Sequence, residues 1–245
     1  MNKNTLLIES LRYDATQKKL HRLDQHMKRL RASAQILFEI RLHENKLRQA
    51  IQQTLHKLLR DIEHHNIEHH NIEHHNIEHS ELQPQSRATQ TGLYKIRITL
   101  DFKGAFQITS SPLPSRQEAI HICISDQEID SENIFQRHKT TQRNLYNSER
   151  QRVQPQGFHD VVFFNQKGEL AEASIHNVFI LQNGIYYTPP LACGALPGVM
   201  RHCLLKNHPN LYKERIITQA EFLHAENIRL TNSVVEILQA NILIA

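Results

Sequence analysis

Hydrophobic residues change their period along this chain, and the order of the changes restricts the folds open to it. Leu6-Leu-Ile-Glu-Ser-Leu-Arg-Tyr13 reads as a strand, and Ala15 to Leu20 as a turn or short hairpin. From Leu23 the spacing turns helical. His26, Met27, Leu30, Ala34 and Leu37 recur mostly three or four residues apart, and Asp24 is placed to cap the helix. A second helix is predicted from about Glu44 to Leu59, with Leu47, Ile51, Leu55 and Leu58 on one stripe. Alternation returns at Tyr94-Lys-Ile-Arg-Ile-Thr-Leu and passes through Lys103-Gly104 into Ala105-Phe-Gln-Ile-Thr, which predicts a β-hairpin. Ser111-Pro-Leu-Pro-Ser115 interrupts the pattern and is read as a domain boundary. Strands dominate beyond it, at Ala119 to Ser125, Asp160 to Asn165, Val178 to Gln182 and Ile185 to Thr188. Gln166-Lys-Gly and Asn183-Gly supply turns. One helix is expected from Pro197-Gly198 to Leu205 and a short one from Glu221 to His224, with strands at Asn227 to Leu230 and Val234 to Leu238. The class is α+β with two segregated regions, residues 1–114 and 115–245.

One stretch fits neither period. Ile62-Glu-His-His-Asn occurs three times and begins a fourth, ending near Ser80. Five residues on a helix rotate each isoleucine by about 140° from the last, so Ile62, Ile67, Ile72 and Ile77 share no face. On a strand they would alternate sides. The tract therefore builds no continuous buried seam, and it is read as a solvated extension of the second helix or a loop. Its histidines fall in i, i+4 pairs (His65/His69, His70/His74, His75/His79), a spacing that chelates divalent metal when helical. No metal site is assigned. Gln83 to Thr91 follows as a polar linker.

Hydrophobic residues make up 39% of the 245, a low share that this polar tract explains. No apolar run approaches the roughly 20 residues needed to cross a bilayer. The first residues carry no apolar core or cleavage site of a signal peptide, so a cytoplasmic location is expected. Cys123, Cys193 and Cys203 are odd in number and lack CxxC spacing, which points to reduced thiols. The net charge of +4 comes from basic residues spread along the chain, without an aromatic-interleaved basic motif. A small anionic cofactor and substrate account for that charge, and no nucleic-acid or membrane partner is expected.

Lys139, in Arg137-His-Lys-Thr-Thr141, is the candidate Schiff-base lysine. A lysine forms imines only as the neutral amine, so its site must lower the pKa by burial or by nearby cations such as Arg137, His138 and Arg143. With 29 lysines and arginines in the chain, Lys139 alone would be an ordinary surface charge. Its company changes that. Glu172-Ala-Ser-Ile-His-Asn177 follows about thirty residues on, with Gly168 to Ser174 read as a turn that aims Glu172 inward. A carboxylate can keep a pyridine nitrogen protonated, so that the ring withdraws electrons from a substrate carbon. Leu196-Pro-Gly-Val-Met-Arg201 opens a helix whose first amides are free to hold a phosphate, although plain capping reads the same. Thr231-Asn-Ser233 offers hydroxyls between two strands, and Arg29 offers a cation.

Together these segments resemble the fold-type-IV pyridoxal-phosphate enzymes, the class-IV aminotransferase family. The likeness is strongest at Glu9 to Arg12, Leu23 to Ala34, Arg137 to Tyr146, Gly157 to Phe164, Gly168 to Phe179 and Thr188 to Arg201. His138-Lys-Thr-Thr, Thr188-Pro-Pro-Leu-Ala-Cys-Gly and Thr231-Asn-Ser233 are similar to the 4-amino-4-deoxychorismate lyase branch. The resemblance implies a small N-terminal α/β domain, a larger β-rich, barrel-like C-terminal domain and a homodimer. It implies pyridoxal 5′-phosphate held by Lys139, with Glu172 on the ring nitrogen. Arg29, the amides of Val199 and Met200, and Ser233 would take the phosphate. Tyr146 would lie near the cofactor face, although its spacing from Lys139 departs from the branched-chain enzymes, and Arg97 would meet a substrate carboxylate. The implied reaction is release of pyruvate and 4-aminobenzoate. Transamination of branched-chain or D-amino acids is the rival, and a non-catalytic scaffold bearing a metal-binding histidine tract is the reading from outside enzymology. Two departures from the family stand out: the strand before Glu9 is short, and the histidine tract replaces a short connection.

Overall fold

The computed structural model describes residues 4–73, 92–114 and 119–242. The first part is an antiparallel sheet of four strands in the order β2-β1-β3-β4. These are β1 (Leu7–Asp14), β2 (Lys19–Leu20), β3 (Leu93–Leu100) and β4 (Phe106–Pro112). Side chains alternate across a strand, and here the alternation divides two tasks. Leu7, Leu11 and Tyr13 of β1 and Tyr94, Ile96, Ile98 and Leu100 of β3 pack beneath two helices, α1 (Leu23–Phe38) and α2 (Glu44–Glu73). Ser10 and Arg97, cross-strand partners in the register, fall on the opposite face. β4 is an edge strand and ends on Pro112, where a missing amide hydrogen disrupts no ladder.

The helix starts differ from the sequence reading. α1 is preceded by Arg22 in the left-handed conformation (φ 56°), and no side chain caps it. Asp24 lies inside the first turn, where it accepts from Arg48 Nη2 of α2 at 2.7 Å. α2 runs on to Glu73, and Ile62 still packs against the core of the first sheet. The tract from His74, the linker Gln83 to Thr91, and the side chains of the histidine pairs from His65 onward lie outside the described residues.

The second sheet has eight strands in the order β10-β9-β8-β11-β12-β5-β6-β7. They are β5 (Ala119–Ile124), β6 (Asp160–Phe164), β7 (Leu170–Ala173), β8 (Asn177–Gln182), β9 (Ile185–Thr188), β10 (Tyr212–Glu214), β11 (Asn227–Asn232) and β12 (Glu236–Ile242). Its pairing is mixed: β12 with β5, β5 with β6, and β9 with β10 are parallel. β7 closes one end of the order yet joins β8, third from the other end, through residues 174–176, so the sheet curls on itself. All five residues of β6 are buried. Val162 and Phe164 serve one apolar cluster, Val161 and Phe163 another.

Three helices complete this part: α3 (Asn144–Val153), α4 (Val199–Asn207) and α5 (Gln219–Leu223). α3 is absent from the sequence reading because only Tyr146, Glu149 and Val153 turn inward, too sparse and mixed a stripe to show helical period. β7 was expected as a turn. Leu170-Ala-Glu-Ala is instead a fully buried strand whose small residues lack strand propensity. β10, three residues long, also goes unread. Thr231 and Asn232 belong to β11, leaving Ser233 in the turn that follows. No helix among the described residues is long and apolar enough to cross a membrane.

Leu11 is wholly buried between β3 and the two helices. Leu11→Ala should lower unfolding free energy by about 2–5 kcal/mol, measured by urea denaturation. A loss below about 1 kcal/mol would show that this sheet face is not close-packed.

Candidate active site

A cleft of about 1070 Å³ lies between the outer face of the first sheet and the curled second sheet. Ser10 and Arg97 approach it from β1 and β3, Glu172 to Asn177 from the connection between β7 and β8, and Thr231 to Val235 from the β11–β12 turn. Six of the predicted residues line it: Arg29, Arg97, Lys139, Glu172, Val199 and Ser233. Two do not. Met200 buries its side chain against Phe179, Tyr186, Leu204 and Tyr212. Its amide belongs to the first turn of α4, where no acceptor exists within the helix. Tyr146 sits behind the wall and reaches the site through Glu172.

Lys139 is positioned by the first sheet. Its carbonyl accepts from Ile8 N at 2.8 Å, and the next residue, Thr140, bridges to Leu7. Burial is the main force on its amine, followed by Arg29 and Arg143. Against the opposing pull of Glu9 and Glu172, they bring the pKa down from the ordinary 10.5 to about 7. Of the neighbours expected from sequence, Arg143 contributes. Arg137 is exposed, and His138 turns away to pair its Nδ1 with Ser33 Oγ at 2.9 Å.

Glu172 stands in mid-strand, 6% exposed. One oxygen accepts from Tyr146 Oη at 2.8 Å, the other from Leu196 N at 3.0 Å. Burial raises its pKa, and the Leu196 amide and Tyr146 hydroxyl only partly offset this. The carboxylate is thus a stronger base than in water, held rigidly at the cleft wall.

Arg29 is steered by a group that sequence reasoning left without a role. Glu9 takes Arg29 Nε at 2.9 Å and Nη2 at 2.6 Å in a two-pronged pair, while Nη1 donates to Pro197 O at 3.0 Å. Burial would raise the Glu9 carboxyl, but Arg29 and His26 together draw it down to about 2. Three of the five guanidinium N–H groups are engaged in these bonds, and two are left to face a ligand. The same contact ties α1 to the segment that starts α4. There Gly198 approaches so closely that a Cβ would fall 1.8 Å from Asn177 Oδ1. Asn177 in turn donates through Nδ2 to Leu196 O at 2.9 Å.

Charge in the cleft is one-sided. Arg29, Lys95, Arg97, Lys139, Arg143 and Arg150 line it, against Glu172 as the sole acidic group among the described lining residues. Three lining side chains also keep a buried polar atom without a partner: His26 Nε2, His176 Nε2 and Thr231 Oγ1. Each such atom costs about 1–3 kcal/mol, so this wall is built to meet a polar, anionic ligand. Lys95 and Arg150 are dispersed charges in the sequence, and only folding gathers them here. Lys95 shares the parity of Arg97 on β3, a signal that could have found it.

Comparison with known proteins agrees with this geometry. Residues 6–242 match the model of the amino-transferase class IV family. A Schizosaccharomyces pombe protein named "Putative aminodeoxychorismate lyase" is 27% identical over 93% of this chain and 85% of its own length. Among solved structures, the PLP-bound form of a hypothetical aminotransferase from Mycobacterium tuberculosis superposes with a TM-score of 0.75. That match covers 97% of this chain and 81% of the other at 16% identity. The branched-chain amino acid aminotransferase from Escherichia coli gives a TM-score of 0.71 over 98% and 77% of the two chains, also at 16% identity. At that identity the two structures establish the fold, while the match over 6–242 carries the assignment: this chain belongs to the amino-transferase class IV family.

Proposed function

We propose that this chain is a 4-amino-4-deoxychorismate lyase, releasing pyruvate and leaving 4-aminobenzoate, a folate precursor. As a member of class IV it is a pyridoxal-phosphate enzyme. The single observation that carries a catalytic reading is Lys139, an amine brought to about pH 7 by burial and two guanidinium groups, lining one cleft with the buried Glu172. The lyase outcome is supported by the relative matched over most of both chains.

The cleft suits the cofactor. Thr231 Oγ1, buried and unpartnered, matches a phosphate oxygen, as do the two remaining donors of Arg29 and the first-turn amides Val199 and Met200 of α4. Ser233 adds a second hydroxyl beside them. Glu172 is assigned to the pyridine nitrogen, with Tyr146 as a positioning residue acting through it. Bound there, the cofactor supplies an electron sink for the substrate carbon that loses its proton. Lys139 Nζ is the amine that would hold the cofactor aldehyde, and as a free amine it would take that proton. Loss of the proton and cleavage of the ether C–O bond leave an aromatic ring, and a proton returned to the departing enol gives pyruvate. Arg97 is placed to take a substrate carboxylate. A homodimer working in the cytoplasm completes the proposal.

Purified protein should be yellow, and borohydride should bleach it and fix the cofactor on Lys139. Lys139→Ala should lose the colour and about 10²–10⁴-fold in turnover. A colourless wild type that takes up no added pyridoxal phosphate refutes the enzyme reading. Pyruvate and 4-aminobenzoate should form from 4-amino-4-deoxychorismate with no keto acid present. Strict dependence on a keto-acid acceptor would favour the transaminase instead.

The lowered amine has a pH signature. Below its folded pKa the amine of the apoprotein is protonated and inert, and above it the neutral form grows in. Cofactor uptake by the apoprotein should therefore rise with pH about a midpoint near 7 rather than 10.5. Arg143→Gln should move that midpoint upward, because one of the two cations is removed. A midpoint unchanged by this substitution would mean that Arg143 has no part in setting the value.

A further inference from the structure

Tyr146, which reaches the site through Glu172, has a second polar neighbour. Its Oη lies 2.8 Å from Glu172 Oε1 and 2.7 Å from the side-chain amide of Gln136. The buried ring is not free to choose between them by moving. Phe163 meets it edge-on at 4.9 Å, and the Arg143 guanidinium lies over its face at 4.8 Å. Gln136 is half-buried in a one-turn 3-10 helix, Ile134–Arg137. Its own amide donates to Asn133 O at 3.0 Å, which fixes the backbone from which the side chain reaches out. Lys139 follows three residues on, so this short turn leads directly into the segment that bears the amine.

Counting hydrogens orders the chain of three. A phenol hydroxyl has one hydrogen, and both contacts have the length of full hydrogen bonds, so one neighbour must supply the second hydrogen. Glu172, as the carboxylate that a pyridine nitrogen requires, has none to give. The carboxamide of Gln136 has two, and a half-turn about its last bond exchanges oxygen for nitrogen without changing its shape. Gln136 Nε2–H then donates to Tyr146 Oη, and the tyrosine hydrogen is committed to Glu172 Oε1. The Leu196 amide holds the other oxygen of the acid at 3.0 Å. A side chain at position 136 that only accepts would instead compete with Glu172 for the single tyrosine hydrogen.

We propose that Gln136 is a positioning residue for Glu172: its amide N–H occupies the tyrosine oxygen and so directs the tyrosine hydrogen onto the carboxylate. The inference rests on reading Glu172 as the partner of the pyridine nitrogen, and it holds for either outcome of the reaction. It joins the two ends of the site, since the turn that leads to Lys139 also sets the hydrogen bonding of the acid.

The test titrates the holoenzyme with pH and follows the absorption of the bound cofactor. Gln136→Glu should draw the tyrosine hydrogen away from Glu172, whose fuller charge then holds the ring proton more tightly. The midpoint should rise by about one unit, a tenfold change in proton affinity. Gln136→Leu offers no acceptor, leaves the hydrogen on Glu172 and should move the midpoint less than about half as far. A charge at position 136 also acts through space, and a double-variant cycle separates that effect: in a Tyr146→Phe background the shift from Gln136→Glu should shrink to less than about half. An unmoved midpoint in Gln136→Glu, an equal shift in Gln136→Leu, or a shift undiminished in the Tyr146→Phe background overturns the proposal. If Gln136→Glu loses its colour, recovery of colour in the double variant supports the proposal and continued loss overturns it. Glu172→Gln tests the reading beneath. A midpoint unmoved there removes the Glu172 assignment and the Gln136 role together, whereas one moved there but not by Gln136→Glu removes the Gln136 role alone.

Discussion

The cleft depends on how the corner between β7 and β8 is held. Its turn is three residues long and has no apolar anchor of its own, since Ile175 is 39% exposed. Buried polar contacts hold it instead. Asp160 takes the amide and hydroxyl of Ser174 and the ring of His176, and Arg143 takes the Ser174 carbonyl. Glu172 and Asn177, at either end, grip the two sides of Leu196 through its amide and its carbonyl. One short corner thereby sets the position of the acid at its start and of the segment that opens α4. Charged and hydrogen-bonded groups of this kind are costly to break singly, because each partner left behind is buried.

A second constraint comes from the first sheet. Glu9 occupies a buried position of β1 among leucines, a costly place for a carboxylate. The pairing with His26 and Arg29 offsets that cost and leaves Arg29 directed toward Pro197 O. The ion pair does not have to stabilise the fold to be useful. It aims a cation across the cleft and joins α1 to the start of α4. Gly198 then allows backbone and Asn177 to meet where no side chain fits.

Fold class and several residues that line the cleft were legible in the sequence because both rest on local signals. Period change marks the strands, the helices α1 and α2 and the hairpin at Lys103-Gly104, each of which buries one regular face. Lys139 and Glu172 stood out through the small segments around them. α3 and β7 did not, since a mixed stripe and a run of alanines carry little periodicity, and only tertiary burial makes them regular. Tyr146 is instructive in this respect. The resemblance put it near the cofactor face, whereas α3 turns it to Glu172 from behind.

The chemistry of the site divides in the same way. Sequence alone determined which residues could react, because an amine, a carboxylate and a helix start are properties of residue type and short spacing. Only the tertiary structure decided their strength and surroundings. It brought Arg29 and Arg143, more than a hundred residues apart, beside Lys139, and it gathered six basic side chains around one acid. It also set the ring of His176 on the buried Asp160. Such effects arise from burial and long-range charge, which depend on distance in space and leave no trace in residue order.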